Sequence, residues 1–190
     1  MSKSQTKDLL KFIKPFGKEI VDKVLWLRSF IWDQYPQTNE LIYDNYNAVA
    51  IGWSPTDRVG HTFCSIAVGR SSKNIHFGFY WGSEISDPKK VLIGEGNQYR
   101  YILVKKLEDF PKEYIMTLMK DAYDNSMSKI GDKAILVHGL TITKSVSDKK
   151  RTGKTIKKLK AKSVKLKAKV SKVNKVSPPK KVKKATRKKK

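Results

Sequence analysis

Apolar residues recur at steps of three and four between positions 16 and 35, where Phe16, Ile20, Val24, Leu27 and Ile31 form one stripe. That spacing predicts a helix with one face turned to a core. Gln34-Tyr35-Pro36 ends it, because proline disfavours helical geometry in the residue before it. A shorter segment, Asp8–Ile13, reads as a preliminary helix. The period then changes to two. Leu41–Tyr46 and Ala48–Trp53 are short, aromatic and β-branched, with Asp44-Asn45 and Asn47 as turn formers. Along Thr62–Arg70, Cys64, Ile66 and Val68 share a face. Along Asn74–Gly82, Ile75, Phe77, Phe79 and Trp81 oppose His76, Gly78 and Tyr80. Ser71-Ser72-Lys73-Asn74 suits a hairpin, and Ser54–Asp57, Ser86-Asp87-Pro88 and Gly94–Asn97 read as loops.

Tyr99–Lys105 reads as a late strand. A second helix opens at Asp109-Phe110-Pro111, buries Ile115, Leu118, Met119 and Ala122, and ends near Asp124-Asn125-Ser126. Ala134–Val137 is read as a strand or an arm that packs back. The order helix, strands, helix predicts an α+β fold: an antiparallel sheet of about five strands with N- and C-terminal helices on one face.

Charge divides the chain. The formal net charge is +24, and residues 144–190 hold 22 of the 41 Lys and Arg but one of the 17 Asp and Glu. Residues 1–143 therefore carry +3 and every Phe, Tyr and Trp. A segment without aromatics and with such charge cannot bury enough apolar surface to offset its ordering entropy. The expected organisation is a globular domain over 1–143 that folds alone, followed by a disordered polycationic tail over 144–190. Cys64 is the sole cysteine, so no intramolecular disulfide forms. The start of the chain lacks the apolar run of a secretory signal, and no stretch approaches the ~20 apolar residues of a membrane span. A cytoplasmic protein without a membrane partner is the expectation, with association with the nucleoid as the narrower option.

Few motifs carry chemistry. Gly153-Lys154-Thr155 lacks the glycine a phosphate loop needs five positions earlier, where Asp148 stands. Gly94-Glu95-Gly96 begins like a dinucleotide loop, but Tyr99 replaces the third glycine. A flexible loop is the simpler reading, with a backbone anion nest assisted by Arg100 as the other. His61 and Cys64 have no second ligand pair for zinc, and Cys64 reads as a small core residue. No nucleophile–base arrangement stands out, so neither catalytic residues, a metal nor a cofactor is assigned. His76 and Tyr80, with Arg100 on a neighbouring strand, form a candidate site for a small anion or an aromatic ring.

The series Phe77-Gly78-Phe79-Tyr80-Trp81-Gly82, Ser86-Asp87-Pro88, Leu92-Ile93-Gly94-Glu95-Gly96, Arg100 and Leu107-Glu108-Asp109 resembles the bacterial YdhG-like domain family. The resemblance covers roughly residues 10–125. It implies a small α+β domain similar in shape to frataxin, for which iron handling has been proposed in some relatives. Tyr101 stands where that family often has His. The acids Asp8, Glu19 and Asp22 alternate with Lys7, Lys11, Lys14, Lys18 and Lys23, whereas hard cations need converging oxygen ligands.

The tail carries the strongest functional signal. Lys149, Lys150, Arg151, Lys154, Lys157, Lys158, Lys160, Lys162, Lys165, Lys167 and Lys169 make its first part. Lys180, Lys181, Lys183, Lys184, Arg187, Lys188, Lys189 and Lys190 follow a Ser177-Pro178-Pro179 break similar to those of linker-histone tails. Ammonium groups on flexible stems suit phosphates as point charges, without base reading. The expected function is non-enzymatic, sequence-nonspecific nucleic-acid binding, DNA ahead of RNA. The alternatives are a small-ligand or metal-handling domain with an incidental tail, a solubilising extension, and an enzyme built around Gly94–Arg100.

Overall fold

A computed structural model of the chain describes residues 3–131, 136 and 138–151, with only the backbone for 3–6. Three helices, α1 (Lys3–Ile13), α2 (Lys18–Gln34) and α3 (Lys112–Ser128), accompany six strands. The strands are β1 (Asn39–Asp44), β2 (Ala48–Ser54), β3 (Cys64–Gly69), β4 (Ile75–Phe79), β5 (Arg100–Leu103) and β6 (Thr141–Val146). The fold is α+β. A single turn of 3-10 helix, Lys14–Phe16, links α1 to α2 around Pro15. Gly17 then takes φ +93, a left-handed value that favours glycine, so that the chain turns directly into α2.

The sheet order is β5-β4-β3-β2-β1-β6. Strands β1 to β5 form an antiparallel meander, and β6 pairs parallel with β1. The sheet is therefore mixed and six-stranded, not antiparallel with five. The missed strand is Thr-Ile-Thr-Lys-Ser-Val, too short and polar to announce itself. A parallel partner also needs no adjacent turn, so no local signature marks the pairing. The strand or arm expected at Ala134–Val137 falls outside the described residues, save for Leu136, which is in neither helix nor strand.

Register lays side chains in rows across the sheet. One row runs Ile42, Ile51, Ile66, Phe77, Ile102, and its neighbour runs Glu40, Trp53, Cys64, Phe79, Arg100. The apolar members of these rows pack against Leu9 and Ile13 of α1, Val24, Leu27 and Ile31 of α2, and Ile115, Leu118 and Met119 of α3. The apolar stripes of the helices thus meet the alternate residues of the strands in one core. Phe30, Phe77 and Phe110 meet edge to face, with ring centroids 5.5–6.5 Å apart. Cys64 lies fully buried here, and desolvation holds its thiol well above the ordinary range.

The opposite parity fills the other face. One row is Tyr43, Ala50, Ala67, His76, Leu103; the next is Leu41, Gly52, Ser65, Gly78, Tyr101. Small residues occupy the middle of both rows, between Tyr43 and His76 in the first and between Leu41 and Tyr101 in the second. This distribution hollows the face along its centre.

The C-terminal edge corrects the expected domain boundary. Position 143/144 falls inside β6, and the chain divides instead between Thr152 and Gly153. The cause is a set of contacts that runs past Val146. Ser147 N donates to the Asp44 carbonyl at 2.8 Å, and Arg151 N donates to the Tyr46 carbonyl at 2.7 Å. Lys144 pairs with Asp57 at 3.5 Å, and Lys150 pairs with Asp44 at 2.6 Å. Four of the cations assigned to the tail by charge alone, Lys144, Lys149, Lys150 and Arg151, therefore belong to the body.

Candidate functional site

A cavity of about 300 Å3 opens on the hollow face of the sheet. Its floor is Ala50, Gly52, Ser65 and Ala67, from the central strands β2 and β3. Tyr43 of β1, His76 of β4, Tyr80 just beyond β4 and Tyr99 just before β5 stand around it. Val59, Thr62 and Asn45 complete the rim. Among the described residues, no Lys, Arg, Asp or Glu lines it.

Two glycines make this arrangement possible. A Cβ on Gly78 would clash with the Tyr99 ring, which lies directly over that position. A Cβ on Gly52 would come within 2.9 Å of the Thr62 methyl carbon. A third, Gly82 of the Trp81-Gly82 pair, lies against Arg100, where a Cβ would be 2.9 Å from the Arg100 backbone nitrogen. The glycines in Phe77–Gly82 are thus explained by the close approach of residues 99–100.

The wall is electrically neutral near pH 7. Burial pushes the His76 imidazole below its usual value. Burial, then repulsion from Tyr80 and Asp57, raises the Tyr43 phenol, and burial foremost raises Tyr99. His76 stacks flat on Tyr101 with ring centroids 4.0 Å apart and planes within 1°. Among the described residues, the buried hydroxyls of Tyr43, Thr62 and Tyr99 have no hydrogen-bond partner of good geometry. An unmatched buried hydroxyl costs about 1–3 kcal/mol, so three at one cavity are notable.

Of the candidate site residues, His76 and Tyr80 are brought together at this cavity. Arg100, Gly94 and Gly96 are not. Arg100 pairs across the sheet with Phe79, on the parity of the apolar row, and Tyr101 is the β5 residue that meets His76. The Arg100 guanidinium donates to the carbonyls of Gly96 and Tyr99. Those bonds close the 96–100 loop on itself. Gly94 takes φ +127 and lets the Tyr99 carbonyl approach to 2.9 Å of where a Cβ would stand. The loop reading is the one this geometry favours, because the arginine spends two of its donors on backbone carbonyls.

Asp87, in the Ser86-Asp87-Pro88 segment, organises the neighbouring loop. Its carboxylate accepts from the Tyr114 hydroxyl at 2.6 Å and from the amides of Leu92 at 2.9 Å and Val91 at 3.3 Å. This ties the loop to α3. Among the described residues, no group of three or more His, Cys, Asp and Glu converges as a metal site, and no helix is long and apolar enough to cross a membrane. His61 binds Thr56 Oγ1 through Nδ1 at 2.8 Å, while Cys64 faces the core.

Of the cations expected to bind nucleic acid, Lys149 is exposed, whereas Lys150 and Arg151 are engaged by the body. The Arg151 guanidinium lies 5.7 Å from the centre of the Tyr46 ring. Lys154 and all later members of the set lie outside the described residues. No protein-family model, curated protein or solved structure matches the chain. The resemblance to YdhG-like domains rests on the order of residues quoted for it.

Proposed function

We propose that the protein binds nucleic acid without sequence preference, through the polycationic segment that follows Thr152. One observation carries this reading. Residues 153–190 hold 18 Lys and Arg and no Asp or Glu. Residues 1–152 hold 23 Lys and Arg against 17 Asp and Glu, so they offer no excess of negative charge to offset it. The phosphate backbone of nucleic acid is an abundant polyanion, and each contact releases condensed counterions. Lysine outnumbers arginine 17 to 1 in the segment, which suits point-charge contacts and offers little bidentate base readout. The body, read as a YdhG-like domain on its motif order, would supply a separate contact. A competition assay tests the reading: unlabelled duplexes of unrelated sequence should displace a labelled duplex from the full chain equally well. A preference of more than about tenfold for one sequence would point to base readout instead.

A further inference from the structure

The hollow face of the sheet is built like a binding site, and nothing in the nucleic-acid reading uses it. We infer that the cavity over Ala50, Gly52, Ser65 and Ala67 binds a small, uncharged, planar aromatic molecule that carries one hydroxyl or ring N–H group. Size sets the first limit. About 300 Å3 lies at the low end of ligand pockets, room for one or two fused rings. Shape sets the second. A floor of small residues between Tyr43, Tyr80, Tyr99 and His76 forms a trough in which a flat molecule can meet ring faces or edges.

Charge sets the third limit. Among the described residues no Lys, Arg, Asp or Glu lines the cavity, burial lowers the His76 pKa, and Arg100 is turned away on the other parity. An anion or cation entering would lose hydration with no counter-charge to replace it. Polar recognition comes from Tyr43 and Thr62. Thr62 is 3% exposed, and neither hydroxyl has a protein partner among the described residues. Each can donate and accept, so a ligand hydroxyl or ring N–H reaching the wall would relieve an existing cost. The glycines support the same conclusion, because side chains at positions 52 and 78 would displace Thr62 and Tyr99 from the positions that shape the wall.

The test is calorimetric titration of the full chain with 2-naphthol, at low and high salt, with 2-naphthalenesulfonate as the charged control. One site per chain is expected, with affinity that changes less than about twofold with salt because no ion pair forms. The sulfonate should bind at least about tenfold more weakly, since its charge is buried without a partner. Ala67→Leu, placed outside the core cluster, fills the floor and should abolish binding while the circular dichroism and cooperative unfolding persist. Tyr43→Phe and Thr62→Val should each weaken binding by about two- to tenfold, the worth of one hydrogen bond. No saturation by about 1 mM 2-naphthol would overturn the inference. So would equal affinity for the sulfonate, undiminished binding by folded Ala67→Leu, or unchanged binding by both hydroxyl variants. Salt-independent naphthol binding and salt-dependent DNA binding are separate readouts, so either reading can fail without the other.

Discussion

Lys150 closes on Asp44, with its Nζ 2.6 Å from Oδ2 and 2.8 Å from the main-chain carbonyl oxygen. The same carboxylate also accepts from the Arg70 guanidinium. Asp44 sits at the end of β1, so a single acid joins the β3–β4 hairpin to the segment after β6. Lys150, one of the cations that charge alone assigns to the tail, is thereby held to the body by a buried carboxylate.

That relationship places the limit of the folding unit at Thr152. A chain ended there should unfold cooperatively at the same midpoint as the full chain. A chain ended after Thr143 loses half of β6, the Ser147 and Arg151 amide bonds and the Lys150 pair. At about 1 kcal/mol per hydrogen bond, it should be less stable by at least about 3 kcal/mol. For a body of this size that lowers the midpoint by roughly 10 °C. Differential scanning calorimetry of the three chains measures this, and equal midpoints would show that the segment after Thr143 is not anchored.

A second buried pair braces the opposite end of β1. Arg28 of α2 meets Glu40 through two bonds, Nε to Oε1 at 2.6 Å and Nη2 to Oε2 at 2.8 Å, and Thr141 Oγ1 donates to Oε2 at 2.8 Å. Glu40 is fully buried. Arg28→Met strands that carboxylate and should cost about 3–5 kcal/mol in urea denaturation. Arg28→Met combined with Glu40→Leu should recover most of the loss, because a buried ion pair and an apolar pair of similar volume are often close in stability. A double variant as unstable as the single one would mean that Thr141 and β6 depend on the carboxylate itself.

The elements that show in the sequence are those whose partners lie nearby. Ile75, Phe77 and Phe79 alternate so cleanly that β4 and its two faces are readable, and the stripe from Val24 to Ile31 gives α2. Strand β6 was hidden because its partner β1 lies about a hundred positions away and because Lys144 made it resemble the basic segment. Half of the cavity was legible, since His76 and Tyr80 oppose the apolar row. The other half depends on register. Arg100 was expected beside His76, but the pairing of Gly78 with Tyr101 gives that place to Tyr101. The floor was invisible for a different reason: Ala50, Gly52, Ser65 and Ala67 bear no chemistry of their own, and only the pairing of β2 with β3 puts them side by side.

Acid should release the loop that Asp87 holds. Burial pushes its carboxyl upward, but bonds from Tyr114 and from the amides of Leu92, Val91 and Lys90 outweigh this and leave it below the usual range. A depressed folded pKa gives stability that is present above the unfolded value of about 3.9 and is lost as pH falls through the folded value. Asp87→Asn should thus cost about 1–2 kcal/mol at pH 7, discounted for partial exposure. The gap from the parent protein should narrow as pH falls from 5 to about 2. A gap that stays constant over that range would show that the charge of Asp87 contributes nothing.

The binding role assigned to the segment after Thr152 is tested most directly by the salt dependence of duplex DNA affinity. Fluorescence anisotropy would be measured at several salt concentrations on the full chain and on the chain ended after Thr152. If about half of the 18 cations engage at once, the plot of log affinity against log salt should have a slope near −8. The shortened chain should lose nearly all binding at the same salt. A slope shallower than about −3, or undiminished binding by the shortened chain, would contradict the assignment.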